Sequence, residues 1–481
     1  MSLQDLIHPF LGAYIASPQW FKSLTGGVYS RLPVAWRRGR QYAHFRAELA
    51  ESSPEWIREL VHDKLAATIR HALTSVPAYR EFRHLLAGLD APQQVLAQLP
   101  VVSKTMIKSA PERYLSDALL PSARLTAFTG GSTAEPMRFY LEKHVTRSKE
   151  YAYMEDFESR VGFVAGNDVV LALRGRTVPT AKQPGGRLWM FEPIKKQLIL
   201  SSDHLEPTYM PQYMAALRQW KPGYIQAFPS ALYPLARWLK AYPDAEITAR
   251  IRGVMLYSEN VYDFQMKLFR EVFDCPVLKH YGHSERVLMA ATLPDDERYF
   301  FWPQYGHVEL LDEAGNVITQ PGVLGEIVGT SFDNRVMPFV RYRTGDLAML
   351  SNTPHPALPG YVAVERIEGR LQEFIVTRDH RLISICTMGA AHFDELAEVE
   401  AIQYEQHEPG TFLLKIVSPR TLGDDMRARI ARAVEEKTQH GCRADVVRVE
   451  SIPRTARGKH VMLVQHLDIS HYLGAASEGD A

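Results

Sequence analysis

The run from Thr129 to Pro136 reads TGGSTAEP, small and hydroxyl residues set between two more apolar stretches. Glycines let backbone N–H groups approach closely, and Ser and Thr hydroxyls add donors without bulk, so the run suits the oxygens of a polyphosphate. No Gly-Lys-Ser/Thr follows, which separates it from a Walker loop. A second segment, YGHSE at Tyr281 to Glu285, follows the apolar PVLKH and presents a carboxylate, Glu285, of the hard-oxygen kind that magnesium prefers. RYRTGD at Arg341 to Asp346 places an Asp after a Gly turn, a geometry suited to accepting hydrogen bonds from a ribose diol. Gly369 and Arg370 add a guanidinium fork beside a flexible residue. Near the end of the chain, PRTARGK brings Lys459 onto a glycine-bearing loop, where an ammonium can meet a phosphate undergoing substitution. Taken singly, each segment is equally a plain turn, a solvated carboxylate or a surface cation; their occurrence together, in this order, is what carries information.

Positioning such groups takes a substantial scaffold. With 481 residues the chain exceeds what one core usually organises, so a large domain and a smaller one are expected. From Ser53 the sequence SPEWIRELVHDKLAATIRHAL offers a Ser cap, a Pro at the first helical position and apolar residues at Ile57, Val61, Leu65, Ile69 and Leu73. That spacing predicts an amphipathic helix ending at Val76-Pro77, and the helical character continues to about residue 100. Short apolar runs then alternate with helical stretches: DVVLAL from Asp168, HVELLD from His307 and LGEIVGT from Leu324 read as strands, and Met210 to Gln219 as a helix. The fold class is therefore α/β. Residues 1–365 form the expected large domain, with 1–100 mainly helical, and residues 366–475 a small mobile α+β domain. In the latter FLLKIV, a helix over about Asp424 to Thr438, and ADVVRVE read as strand, helix, strand. The tail 476–481 is expected to be disordered.

Composition narrows the function classes. Lys plus Arg and Asp plus Glu number 55 each, so no general electrostatic pull draws the chain to a nucleic-acid backbone. Cys275, Cys386 and Cys442 are far apart with no CxxC pair, against a disulfide framework or a zinc ribbon and in keeping with the cytoplasm. No basic n-region precedes an unbroken apolar stretch at the N-terminus, and nowhere do about 18 apolar residues run together, so neither a signal peptide nor a membrane span is expected. The first twenty residues suit an amphipathic segment, read as packing on the protein's own core rather than on a membrane.

The five segments, in this order, resemble the motif series of the adenylate-forming superfamily that includes acyl-CoA synthetases and firefly luciferase. IRHALTSVPAYREF, KPGYIQAFPSALYPLARWL and YSEN at Tyr257 to Asn260 bring the chain nearest to the phenylacetate-CoA ligase-like branch and its CapK-type relatives encoded with capsular polysaccharide genes. The resemblance implies a large N-terminal adenylation domain, ATP and Mg2+ as requirements, and formation of an acyl-AMP followed by acyl transfer. CoA is the first expectation for the acceptor; an amine or a carrier is the second. It further implies that Thr129, Gly131, Ser132 and Thr133 line a phosphate loop, and that Glu285 holds magnesium. Glu259, Tyr281, Gly282 and Ser284 would border the AMP moiety, Asp346 would bind the ribose, Arg370 would meet the nucleotide and Lys459 would promote adenylation. An acyl pocket is expected around Phe228, Ser230, Tyr257 and His283, which favours an apolar or aryl acid. Three positions depart from the family pattern: Gly130 stands for a Ser, Ala134 for a Gly, and Gln372 for an Asp, with Glu373 next to it. AMP transfer to a hydroxyl acceptor and a non-catalytic scaffold are the readings from other classes.

Overall fold

The computed structural model describes residues 14, 17, 19–129, 137–175, 178, 180, 186–205, 207–351, 353–370, 374–380, 382–388, 396, 399, 401–419, 421–438, 440–453, 460–469 and 471–472. The helix predicted from Ser53 spans Pro54–Ser75. The Ser53 hydroxyl accepts from Trp56 N at 3.3 Å, and Ile57, Leu65, Ile69, Ala72 and Leu73 are buried. The β-region backbone of Val76, imposed by Pro77, stops it.

Strands β1 (Arg124–Phe128) and β2 (Arg138–Glu142) form an antiparallel hairpin. A twelve-stranded sheet follows, from β3 (Val170–Leu173), β4 (Trp189–Glu192), β5 (Gln197–Leu200), β6 (Tyr224–Ala227), β7 (Gly253–Tyr257) and β8 (Val277–Gly282) to β9 (Met289–Ala291), β10 (Tyr299–Phe301), β11 (Gly306–Leu311), β12 (Leu324–Ser331), β13 (Tyr342–Leu350) and β14 (Val362–Arg370). One half is parallel, in spatial order β5-β3-β6-β7-β8, with β4 antiparallel at its edge. The other half is antiparallel, β8-β9-β10-β14-β13-β12-β11.

The two halves are built on separate cores. VLAL of β3 and GVMLY of β7 are buried along their whole length, as strands covered on both faces must be. Helices Thr146–Ser159, Met210–Trp220, Pro229–Ala241 and Asp263–Phe273 supply Phe157, Tyr213, Leu235 and Phe269 to that core. The antiparallel half packs Ile327, Val340 and Val364 against Leu65, Ile69 and Leu73 of the N-terminal helix. The small C-terminal unit contains β15 (Phe374–Val376), β16 (Leu382–Ser384) and a four-stranded sheet of β17 (Ala401–Glu408), β18 (Thr411–Val417), β19 (Arg443–Arg448) and β20 (Leu463–Gln465), in order β19-β18-β17-β20. The helix Asp424–Lys437 joins β18 to the parallel β19, as the strand, helix, strand pattern predicts.

Strand β14 continues the large sheet to Arg370, pairing Gly369 with Leu347 and Arg370 with Asp346. A ladder bond is formed with a distant strand, so the turn-rich stretch before residue 361 gives no hint of it. Most of the first twenty residues, Gln372 and the tail 476–481 lie outside the described residues. No helix among the described residues is long and apolar enough to cross a membrane.

Candidate functional site

Three adjacent parallel strands, β6, β7 and β8, run alongside one another and deliver expected site residues just beyond their carboxyl ends. β6 leads to Phe228 and Ser230, β7 ends on Tyr257 and leads to Glu259, and β8 ends on Gly282 and leads to His283, Ser284 and Glu285. In open α/β sheets that edge is where ligands bind, because loops and helix N-termini converge there. The helix Pro229–Ala241 starts without a cap from its own Phe228. Glu259 supplies one from the neighbouring strand: its two carboxylate oxygens accept from Ser230 N and Ser230 Oγ, each at 3.0 Å. An anion at a helix N-terminus is favourably placed. Ser258, at φ +63°, makes the turn that aims Glu259 there.

The second and third motifs meet directly. Tyr281 Oη donates to Asp346 Oδ2 at 2.8 Å, and Tyr342 Oη donates to Glu285 Oε1 at 2.8 Å. Each motif thus lends a phenol to the other's carboxylate, across the boundary between the parallel and antiparallel halves of the sheet. Gly345 at φ +77° makes the bend before Asp346. Glu326 on β12 steadies that bend, accepting from Gly345 N at 3.3 Å and from Arg343 Nε at 2.6 Å, while Thr344 Oγ1 accepts from Asp346 N at 3.1 Å. Arg370 lies opposite Asp346 in the β13–β14 register, and Asn260 Nδ2 reaches Glu368 O at 3.3 Å. Glu285 is buried, and among the described residues its Oε2 has no hydrogen-bond partner, so one oxygen remains for a hard cation.

Histidines crowd the same corner. Both ring nitrogens of His283 are shielded from solvent with no hydrogen-bond partner among the described residues, as is Arg286 Nη1. Buried polar atoms are normally paired, so these are atoms that a bound ligand can satisfy. His280 is half-buried, its ring packed against Phe157 and Tyr257. Burial, aided by the Arg174 and Arg160 charges, pushes its imidazole down to about 3, so it is neutral at physiological pH. A Cβ on Gly282 would stand 2.9 Å from His280 Cε1, which is why glycine occupies that position.

Two expected acyl-pocket residues, Phe228 and Tyr257, stand behind this edge as part of the buried core. Tyr257 Oη donates to Glu158 Oε1 at 3.0 Å, and Arg174 lies 4.1 Å over its ring. Gln226 Nε2 joins the same carboxylate oxygen at 2.6 Å, and Gln197 Nε2 extends the chain to Gln226 Oε1 at 3.1 Å. Burial raises the Glu158 carboxyl to about 7. Sequence reasoning missed this network and the supporting Glu326. The partners of Glu158 are 68 and 99 residues away, so no local spacing announces them. Thr129 is buried at the neck of its loop, exchanging Thr129 N to Met137 O and Met137 N to Thr129 Oγ1, both at 2.9 Å. Gly131, Ser132, Thr133 and Lys459 lie outside the described residues, as does the side chain of Arg370.

The large mixed sheet with its smaller C-terminal sheet unit has the adenylate-forming ligase fold, and in sequence the chain resembles the phenylacetate-CoA ligase-like branch. A 2-hydroxyisobutyryl-CoA ligase in the postadenylation state, in complex with 2-HIB-AMP, has the same fold at a TM-score of 0.62 and 16% identity, over 86% of this chain and 90% of that one. In sequence the chain is 22% identical to Protein CapK of Staphylococcus aureus over 410 residues, 84% of this chain and 87% of that protein. It is 24% identical to phenylacetate-coenzyme A ligase of Pseudomonas putida over 166 residues, 34% of this chain and 37% of that protein. No family model matches.

Proposed function

We propose that this protein activates a carboxylic acid with ATP, releasing pyrophosphate, and passes the acyl group of the resulting acyl-adenylate to the thiol of CoA. The observation that carries the reading is the pair of phenol–carboxylate hydrogen bonds that links the YGHSE and RYRTGD segments through Asp346 and Glu285. The ligase fold and the CapK and phenylacetate-CoA ligase relatives support it.

In the first step a substrate carboxylate oxygen attacks the α-phosphorus of ATP. The new P–O bond forms as the bond to the β-phosphate oxygen breaks, and pyrophosphate carries away the electron pair. Glu285, through Oε2, would hold a magnesium ion, which when bound would neutralise charge on the phosphates. Asp346 takes the ribose hydroxyls, Thr129 and the following Gly131, Ser132 and Thr133 hold the phosphates, and Arg370 and Lys459 add positive charge. His283, whose ring nitrogens have no hydrogen-bond partner among the described residues, orients the substrate carboxylate. In the second step the CoA thiol attacks the acyl carbonyl and AMP leaves. Cys275 is a free thiol, which suits a reducing compartment such as the cytoplasm.

The test is pyrophosphate release from the purified protein with ATP, Mg2+ and a panel of aryl, fatty and sugar-derived acids, beside Lys459→Ala. Acid-dependent release is expected, with loss of about two orders of magnitude or more in the folded variant. Equal release in both would remove Lys459 from the reaction, and no release with any acid, with ATP binding retained, would leave a scaffold. Product mass with CoA, an amine or a carrier identifies the acceptor; AMP found on a hydroxyl compound would replace acyl transfer altogether.

A further inference from the structure

Away from that edge, on β17 and just past the edge strand β20 of the C-terminal sheet, two histidines and a glutamate converge in a way the reaction does not use. Glu405 and His407 are two residues apart on β17, so both project from one face. β20 runs parallel to β17 with Glu405 opposite Val464 and Gln406 opposite Gln465; His466 N continues the ladder by donating to Gln406 O at 3.0 Å. One further step of that register sets His466 beside His407. Their rings stack with centroids 3.9 Å apart and planes 9° from parallel. Both Nε2 atoms point at one carboxylate oxygen, Glu405 Oε1, at 3.1 Å for His407 and 3.2 Å for His466.

We propose that Glu405, His407 and His466 form a binding site for one divalent transition-metal ion of the zinc class. The donor set is two imidazoles and a carboxylate, which borderline metals accept. All three ligand atoms lie within 4.8 Å of one another. Bonds of about 2.0–2.2 Å in a tetrahedron put ligand atoms roughly 3.3–3.5 Å apart; the two rings, stacked almost parallel, must swing apart for both Nε2 lone pairs to converge on one ion, and both side chains are exposed enough to do so. Lys415 Nζ, 2.5 Å from Glu405 Oε2, holds the second oxygen and leaves Oε1 as a single-oxygen ligand. The histidines are 63% and 43% exposed, so water can complete the shell. The site would staple β20, a three-residue edge strand that follows closely on the Lys459 segment, to β17.

The test is a titration of the full-length protein with Zn2+ against a chromophoric chelator, for the wild type, His407→Ala, His466→Ala and the double variant. The comparison is needed because the chain has 18 histidines and three cysteines in all. One saturable equivalent in the wild type, weakened at least about tenfold by either single change, is expected. Thermal unfolding should rise with added Zn2+ in the wild type and not in the double variant. Equal Zn2+ binding by the wild type and the double variant would overturn the proposal and leave a hydrogen-bonded trio at the surface.

Discussion

Tyr281 and Tyr342 are the side chains on which the geometry of both carboxylates depends. Tyr342 is buried with its ring edge-on to Phe339 at 5.0 Å, so a phenylalanine in its place keeps the packing and removes only the hydroxyl. Its loss releases Glu285 Oε1 from a hydrogen bond of the charge-assisted kind, worth about 1.5–3 kcal/mol. Tyr342→Phe is therefore expected to lower acid-dependent pyrophosphate release roughly ten- to a hundredfold at limiting Mg2+, with partial recovery as Mg2+ is raised. Steady-state rates over a Mg2+ series would check this; a variant with the wild-type Mg2+ dependence would show that Tyr342 does not act through Glu285. The two motifs themselves stand in the sequence as YGHSE and RYRTGD. What the sequence does not display is the exchange of phenols between them, because Tyr281 and Asp346 are 65 residues apart and meet only once β8 and β13 are in one sheet.

At the scale of elements, helix Thr146–Ser159, besides packing Phe157 into the parallel-strand core, is hydrogen-bonded to β6 and β7 through one carboxyl. Glu158 takes hydrogen bonds from Gln226 on β6 and Tyr257 on β7. Burial is the first cause of its elevation from 4.5 to about 7, and it outweighs the opposing effects of Tyr257 and Arg174. For a carboxyl raised on folding, stability is complete below the unfolded value and is lost as pH climbs through the folded one. The window is thus about 4.5 to 7, and the difference across it is on the order of 3 kcal/mol. Glu158→Gln keeps an acceptor for both partners and removes the titration. Urea unfolding at both ends of the window should show the wild type losing that stability relative to the variant; parallel pH profiles would mean that Glu158 is ionised in the fold throughout. Helix Pro54–Ser75 was readable because its cap, proline and apolar period all lie within one stretch. The end of β14 was not, since its last residues are held by register with β13. The strand, helix, strand order of the C-terminal unit was legible for the same local reason, while the Glu259 cap on another strand's helix was not.

Among the described residues the three largest cores lie under the parallel strands, between the antiparallel strands and the N-terminal helix, and inside the C-terminal unit. A small apolar cluster bridges the large sheet to the third. Leu347, next to Asp346 on β13, packs with Phe374 and Val376 of β15 and with Ile469, with Leu467 and Tyr472 at its rim. The C-terminal unit therefore rests against the strand that carries Asp346, so a change in that contact bears on the proposed site without touching it. Ile469 is completely buried, so Ile469→Ala removes packing at about 2–5 kcal/mol. Because the parallel-strand core shares no residue with this cluster, the loss is expected to stay local. Hydrogen exchange followed by mass spectrometry should show faster exchange in Phe374–Val376 and near Leu347, with β6 and β7 protected as in the wild type. Uniform loss of protection across all strands would instead mean that the chain unfolds as one cooperative unit.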